Sequence, residues 1–374
     1  MWLVLFFACG PATQTTVTPP AANPAAAAQI AQAPAGQASA LEVGREWTLS
    51  GLCEPSGAIL QDGQVILGDD DRRTEFFATP HTPAAKLTAV TPVAHRLGAG
   101  NLELDDVEAA AIIGDEAWWT TSHSRDRVAR TRIVTATASG DALTGVTSLD
   151  FLRQPGVLEG HVRRFAPECE VADDTHQLRP KRGGIDAEGL AATHEHLYLG
   201  FRGPISADGK AIILALDRAG LKARALADTA RHGPDSGGAK LTDAEQQALV
   251  VGGWCVDLGD KRGVRSLDAD PRGEGLIGIS GQMGTGGDFQ LFAWQPGQPP
   301  VPLGDVQNPQ DTSPEGLVAW MDGDTMVLRV LFDEGTRVEK AHGCECAIVS
   351  TGDCPGIPRT LATSRMREYQ LPAH

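Results

Sequence analysis

The sequence has little positive charge and no long apolar run. Its 32 Lys and Arg residues stand against 48 Asp and Glu residues, which gives a net charge of −16. Nucleic acids and anionic membrane surfaces require basic partners, so this balance excludes nucleic acid as an expected partner. It suits a solvated extracytoplasmic protein or one that binds cations. No apolar run reaches the roughly 20 residues of a membrane-spanning helix.

Three well-known enzyme signatures are also missing. The chain contains no GxSxG nucleophile elbow, no P-loop and no HExxH zinc motif. Long helical periodicity is lacking as well, whereas 43 glycines and 24 prolines are present. This composition favours many short strands joined by turns, and it predicts an all-β fold.

The N-terminus resembles a lipoprotein-type signal segment over residues 1–9. Met1–Ala8 is apolar, and Ala8 directly precedes Cys9, as in the lipobox of bacterial lipoproteins. We therefore expect Cys9 to be lipidated. The alternative is a buried N-terminal strand that carries an ordinary core cysteine.

Residues 10–40 are predicted to form a disordered tether. Pro11–Ala40 consists mostly of Ala, Pro, Thr, Gln and Gly and carries no charge, so it cannot bury enough surface to offset its conformational entropy. The folded domain is expected over residues 41–374. We expect an exported monomer that contacts the bacterial envelope only through its N-terminal lipid.

Six cysteines remain after Cys9, and in an oxidising compartment they predict disulfides. They are Cys53, Cys169, Cys255, Cys344, Cys346 and Cys354. Six cysteines allow 15 pairings, so the connectivity stays open. A metal held by the last three cysteines with His342 is an alternative.

An internal repeat carries the fold prediction. Five segments share an acidic or serine marker, small residues, a turn and then a β-rich run. The markers are Ser56, Glu108, Glu188, Ser266 and Glu315. Four-stranded units repeated around an axis form a β-propeller, so we predict five blades. A sixth blade hidden in an insertion stays an alternative.

Two long segments are interpreted as insertions, and the two termini are expected to close the ring. Pro155–Gly184 and Ala219–Gln247 are polar and rich in loop residues. The last blade is predicted to combine a strand from each terminus, with Arg367–Leu371 beside Glu46–Leu49.

The five markers are candidate metal ligands. Residues at equivalent positions of the innermost strands form a ring around the channel. Three converging carboxylates would raise one another's pKa unless a cation lay among them, and hard oxygen ligands favour Ca²⁺. The alternative is that each Glu caps backbone amides of the neighbouring blade.

The succession Ser, Glu, Glu, Ser, Glu resembles the central calcium site of the calcium-activated nucleotidases (soluble apyrases). These are five-bladed propellers that hydrolyse nucleoside di- and triphosphates. Gly68–Thr74 is similar to that family's Asp-Asp-Arg-Thr-Gly segment, which carries catalytic and phosphate-contacting residues. Ser122–Arg125, which follows the second-blade strand, more closely resembles uncharacterised bacterial secreted proteins (domain of unknown function 3616). The second resemblance implies a propeller and no particular activity.

Polar residues at the ends of the second strands are expected to line one mouth of the channel. The candidate catalytic residues are Asp70, Asp71 and His123. Candidate substrate-binding residues are Asp69, Arg72, Arg73, Ser124, Arg125, Arg202 and Gln282; Arg329 is a further mouth residue. Arginine forks match phosphate or carboxylate groups, so the set indicates an anionic ligand, such as a phosphate ester, beside Ca²⁺.

Two functional hypotheses follow. The first is a Ca²⁺-dependent phosphohydrolase in which Asp70 or Asp71 orients water. The second is a non-catalytic surface propeller with structural calcium that binds a ligand or a partner protein.

Overall fold

The computed structural model describes most of the predicted folded domain. The described residues are 41–52, 54–70, 75–81, 89–90, 93–96, 104–124, 130–139, 142–152, 156–172, 178, 182–232, 239–273, 275–283, 287–309, 312–334 and 363–372. The predicted signal segment and tether lie outside them, as do Cys9, Cys53, Cys344, Cys346 and Cys354.

Short strands group into five sheets, one for each predicted blade. Strand β1 (Val43–Ser50) belongs to blade five. Blade one contains β2 (Pro55–Gln61), β3 (Gln64–Asp69), β4 (Glu75–Pro80) and β6 (Val93–Arg96), while β5 (Ala89–Val90) joins the edge of blade five. Blade two contains β7 (Val107–Ile113), β8 (Glu116–Thr121), β9 (Arg132–Ser139) and β10 (Ala142–Asp150).

The remaining blades repeat the same up-and-down order. Blade three contains β11 (Asp186–Ala192), β12 (His196–Gly203), β13 (Ala211–Asp217) and β15 (Val250–Val256). Blade four contains β16 (Arg262–Ala269), β17 (Leu276–Gln282), β18 (Phe289–Trp294) and β19 (Val301–Val306). Blade five contains β20 (Ser313–Asp322), β21 (Thr325–Asp333) and β22 (Thr363–Pro372), followed by β1 and β5.

The innermost strands close into a circle, which confirms the five-bladed propeller. Strand β2 packs against β7, β7 against β11, β11 against β16, β16 against β20, and β20 against β2. The start of each inner strand therefore faces the same central channel.

Glycines permit this close packing near the axis. A Cβ on Gly57 would lie 2.2 Å from the backbone of Ala109 in the next blade, and one on Gly316 would lie 2.5 Å from the backbone oxygen of Ser56. No side chain fits at those distances, so the glycine that follows these two markers is a packing requirement.

The two chain ends meet in blade five, as the sequence predicts. Strand β22 runs antiparallel between β21 and β1, and Arg367 lies opposite Glu46. The pairing extends beyond the predicted segments in both strands. The blade is therefore completed only when both ends of the domain are in place.

Both predicted insertions contain helices. The first carries α1 (Val157–Phe165), and the second carries α2 (Arg218–His232), β14 (Ala239–Lys240) and α3 (Asp243–Leu249). Strand β14 pairs parallel with β10, so the second insertion adds an outer strand to the sheet of blade two. Helix α3 begins with a capping box between Thr242 and Glu245. The three helices pack against the core of blades two and three through buried Leu158, Leu221 and Leu249. No described helix is long and apolar enough to cross a bilayer.

One disulfide is present among the described cysteines and confirms that part of the prediction. Cys169, which follows α1, is bonded to Cys255 of β15 across 86 residues of sequence. It joins the first insertion to the outer strand of blade three.

Reduction of this disulfide is expected to lower the free energy of unfolding by about 2–4 kcal/mol, because the unfolded chain regains loop entropy. Urea titrations with and without dithiothreitol measure the change. The double variant Cys169→Ser/Cys255→Ser should be equally destabilised and should lose most of its response to the reductant. An unchanged wild-type midpoint after complete reduction would contradict the expectation.

A carboxylate links blades four and five. Partly buried Asp268 accepts hydrogen bonds from the backbone N–H groups of Ala269 and Ala319, both at 2.8 Å. Burial raises the pKa of Asp268 to about 7 despite these bonds.

Asp268 is expected to make the fold less stable as the pH rises from about 4 to about 7, by at most about 1.4 kcal/mol per pH unit. In this window the unfolded chain has released the Asp268 proton whereas the folded chain retains it. Above the folded pKa this contribution is constant. Denaturant titrations of wild type and Asp268→Asn across the window measure it. Parallel stability–pH curves for the two proteins would refute the assignment.

Candidate functional site

Each inner strand carries a register irregularity at its marker position. The irregularities fall between Pro55 and Ala58, Val107 and Ala109, Ala187 and Gly189, Val264 and Ser266, and Pro314 and Gly316. The equivalent residues are therefore Ser56, Glu108, Glu188, Arg265 and Glu315. The sequence alignment was wrong by one residue in blade four: Ser266 pairs with Ile279, and Arg265 occupies the bulge.

Arg265 supplies an internal cation for the ring. Its Nη1 lies 3.1 Å from Oε2 of Glu188 and 3.2 Å from Oε1 of Glu315, and the residue is fully buried. Arg265 also lies over the ring of Phe289. Two of the three predicted carboxylate ligands are thus paired with a guanidinium of the chain itself.

Arg202 provides a second cation beside the ring. Its Nη1 lies 2.5 Å from Oε1 of Glu188, and its Nη2 contacts Asp186. Although burial opposes a charge here, the Glu188 and Asp186 carboxylates raise the pKa of Arg202 above its ordinary value. Both carboxylate oxygens of Glu188 are therefore occupied by arginines.

These contacts do not fit calcium held by all five predicted ligands. Arg265 lies between Glu188 and Glu315, and the hydroxyl of Ser56 donates to the backbone oxygen of Val107 in the next blade. A guanidinium takes the place that the sequence pattern had assigned to Ca²⁺.

Glu108 differs from the other two ring glutamates. It is 8% exposed, and its carboxylate makes no hydrogen bond or ion pair with any described residue. Burial, and then the nearby carboxylates of Asp106 and Glu188, raise its pKa well above the ordinary value. Like charges that cannot all ionise together produce this effect.

Two carboxylate clusters share Glu108. Oxygen atoms of Asp70, Asp106 and Glu108 lie within 4.8 Å of one another, and so do those of Glu108, Asp186 and Glu188. Asp70 follows β3 and is partly exposed, whereas Asp106 and Glu108 are buried. The first cluster opens toward the predicted mouth, because it includes a residue at the end of a second strand.

Asp106 is held in place by the segment after β8. Its carboxylate accepts hydrogen bonds from the hydroxyls of Ser122 and Ser124, the latter at 3.1 Å. Arg130 Nη1 lies 2.6 Å from the same oxygen, and Arg130 Nε lies 3.0 Å from Asp105. Ser124, a predicted ligand-binding residue, thus reaches the cluster by orienting Asp106.

The contacts of His123 are structural. The ring is buried, with Nδ1 at 2.9 Å from the backbone oxygen of Phe151 and Nε2 at 2.8 Å from Oγ1 of Thr120. Burial lowers the pKa of His123 to about 4, so the ring is neutral at pH 7. With both nitrogens engaged, the geometry does not support the predicted acid–base role.

The remaining predicted mouth residues are dispersed. Asp69 is buried at the end of β3 opposite Pro55, and Gln282 is exposed at the end of β17. Arg329 lies between Trp47 and Trp320 in blade five, away from the mouth. Asp71, Arg72, Arg73 and Arg125 lie outside the described residues.

Sequence reasoning missed four charged residues at the site: Asp106, Arg130, Asp186 and Arg265. A signal for two of them was present. Asp106-Val-Glu108 and Asp186-Ala-Glu188 repeat the same Asp-x-Glu spacing in neighbouring blades. In a strand, residues two apart face the same side, so this spacing places both carboxylates together.

Part of the chain matches a known protein family. Residues 160–302 match the family described as "Protein of unknown function (DUF3616)". The match confirms the predicted resemblance and spans blade three and most of blade four. The description of this family names no activity. The resemblance to calcium-activated nucleotidases stays a prediction. A search of curated proteins gave no significant match.

The chain resembles solved structures only distantly. Myxococcus xanthus glutaminyl cyclase shows 10% identity and a TM-score of 0.42, with 89% of this chain and 97% of that chain covered. AofleA from Arthrobotrys oligospora shows 10% identity and a TM-score of 0.38, with 77% and 68% covered. The extracellular domain of the putative one component system BT4673 from B. thetaiotaomicron shows 12% identity and a TM-score of 0.34, with 79% and 33% covered.

Proposed function

We propose that Asp70, Asp106 and Glu108 bind Ca²⁺ at the channel mouth, where the protein hydrolyses a phosphate ester. The proposal rests mainly on the burial of the Glu108 carboxylate beside those of its neighbours. A carboxylate buried beside two others, with no direct ion pair among the described residues, is costly unless it is protonated or binds a cation.

The donor set suits a hard divalent cation. Carboxylate oxygens from Asp70, Asp106 and Glu108 come from separate turns and strands, and Ca²⁺ accepts such ligands with flexible geometry. The hydrogen bonds from Ser122, Ser124 and Arg130 fix Asp106, as outer partners of a metal ligand commonly do.

The phosphorylated ligand is proposed from the arginines near the cluster. Arg130 is partly exposed beside Asp106, and the sequence adds Arg72, Arg73 and Arg125 nearby in the chain. In hydrolysis, the oxygen of water bonds to phosphorus and the ester P–O bond breaks. Asp70 or Asp71 would accept the water proton, and the leaving alkoxide would take up a proton from solvent. The cation supplies charge stabilisation for the phosphoryl oxygens when bound.

A non-catalytic propeller is the second candidate, and a specific observation favours it. Arg265 and Arg202 already neutralise Glu188 and Glu315, and His123 has only structural contacts. These ion pairs and hydrogen bonds therefore stabilise the packing of the blades around the channel. In this case the mouth would bind a ligand or partner protein without turnover.

Phosphate release by the full chain, measured on a panel of nucleotides and phosphate esters with Ca²⁺ or chelator, tests the proposal. We expect Ca²⁺-dependent release that falls at least ~100-fold in Glu108→Gln and in Asp70→Asn, since each variant removes a ligand charge. The matched controls are Glu195→Gln and Asp324→Asn, which alter exposed carboxylates elsewhere.

Calcium binding is measured separately by thermal unfolding. A ligand at 100 times its Kd stabilises the folded state by about 2.7 kcal/mol, and Glu108→Gln should lose this gain. If Ca²⁺ stabilises the wild type but no substrate is turned over, the second candidate replaces the first. If Ca²⁺ has no effect on the folded wild type, the cation site is wrong.

A further inference from the structure

A second polar cavity lies between blades five and one, at the opposite end of the inner strands from the cation cluster. Its volume is about 250 Å³. It adjoins the β20–β21 hairpin, where Asp322 pairs with Thr325, and His81, whose N–H donates to Gly63 in the β2–β3 turn. Its lining includes Arg45, His81, Trp320, Asp322, Val327 and Arg329.

Arg329 forms the base of this cavity and is incompletely bonded. It is fully buried, and its guanidinium carbon lies 4.6 Å from the ring centroid of Trp47 and 5.1 Å from that of Trp320. Nη2 donates to Glu368 Oε2 at 3.1 Å. Nε and Nη1 are buried without a hydrogen-bond partner among the described residues. A buried charged donor without an acceptor is costly.

The surrounding charges do not balance Arg329. Arg45 Nη2 lies 2.7 Å from Oε1 of the same Glu368, so two guanidinium groups share one carboxylate. His81 adds no charge at neutral pH, because burial and then Arg329 lower its pKa. Asp322 is exposed on the rim. Arg45 and Arg329 thus share one buried carboxylate, that of Glu368. The other carboxylate of the cavity, Asp322, lies at the exposed rim.

The walls are aromatic. Trp320 meets the His81 ring edge-on with centroids 4.6 Å apart, and the buried Nδ1 of His81 has no hydrogen-bond partner in the described chain. The cavity, at about 250 Å³, has room for one small organic molecule.

We propose that this cavity binds a small organic monocarboxylate whose carboxylate accepts hydrogen bonds from Arg329. Such a carboxylate supplies the acceptor that the buried Nε and Nη1 of Arg329 lack among the described residues, and its planar shape matches a guanidinium. The apolar part of the molecule packs against Trp320. Asp322 on the rim repels a multiply charged anion, which favours a monocarboxylate over phosphate. The site is independent of the cation cluster.

Benzoate tests this site by calorimetric titration of the full chain at constant ionic strength. We expect saturable binding with a Kd near or below about 1 mM, and at least ~10-fold weaker binding by Arg329→Gln. Because Arg329→Gln removes a buried charge and can unfold, Val327→Trp is the second variant. Val327 lines the cavity and pairs with Trp320 in the β20–β21 ladder, so the larger side chain fills the cavity, keeps Arg329 and should also abolish binding. Arg272→Gln is the control, since Arg272 pairs only with Asp270 among the described residues.

Three results would overturn the proposal. The first is no saturable benzoate binding by the folded wild type up to about 10 mM, ten times the expected Kd. The second is equal binding by wild type and Val327→Trp, which would place benzoate elsewhere. The third is tighter binding of inorganic phosphate than of benzoate, which would make the ligand class wrong.

Discussion

Replacing Arg265 with glutamine is expected to destabilise the propeller by about 3–5 kcal/mol at pH 7, because it leaves buried carboxylates without their cation. Arg265 Nη1 is the shared partner of Glu188 and Glu315, which come from two blades. Glu188 would keep Arg202, whereas the ion pair of Glu315 with Arg265 would be lost. Burial already raises the pKa of Glu315, so protonation is its remaining route to neutrality.

The penalty in Arg265→Gln is therefore expected to shrink as the pH falls from about 7 to about 5, where uptake of a proton relieves the unpaired charge. Chemical denaturation at both values measures it, with Arg272→Gln as the surface-arginine control. That control should change the free energy of unfolding by less than about 0.5 kcal/mol. Equal, small losses in both variants at every pH would show that Arg265 is not the internal counter-ion.

Truncation of the chain before Thr363 is expected to abolish cooperative folding. Strand β22 pairs along most of its length with both β21 and β1, and its Met366 and Tyr369 are fully buried. Without β22, β1 loses its antiparallel neighbour, and the outer edge of β21 is exposed. The apolar area lost is larger than marginal stability tolerates, since a domain is stable by only about 5–15 kcal/mol.

A chain ending at Pro372 is the matched control and should unfold like wild type. Circular dichroism during thermal unfolding distinguishes the two truncations. A sharp transition in the chain that lacks β22, near the wild-type temperature, would show that the other four blades and β20–β21 hold together without closure.

The repeat made most of the strands predictable. Runs such as Glu75–Pro80 and Ala211–Asp217 appear as strands with the bounds of their sequence pattern, since a short apolar run between turn signals is typical of a buried strand. The helices were missed because they lie in the insertions. Helix α2, for example, buries only a narrow face that includes Leu221 and Ala225, and its remaining polar surface resembles a loop.

At the site, marker positions could be predicted but their charge balance could not. Aligning the serines of repeats one and four placed Ser266 in the ring. The bulge between Val264 and Ser266 is a tertiary feature, and it shifts the position to Arg265. The ion pairs of Arg202 and Arg265 join residues that are separated in the sequence, so neither composition nor spacing reveals these pairs.

Arg265 gives the centre of the propeller a permanent charge of its own. An ion bound by five oxygen ligands would leave when its concentration fell, and blade contacts at the axis would weaken with it. A guanidinium bonded covalently to β16 cannot dissociate and loses no proton at any pH the protein meets. The blade contacts at the axis therefore do not depend on a metal ion, and they persist when metal is scarce or chelated. A cation bound near Glu108 can then dissociate without weakening these contacts.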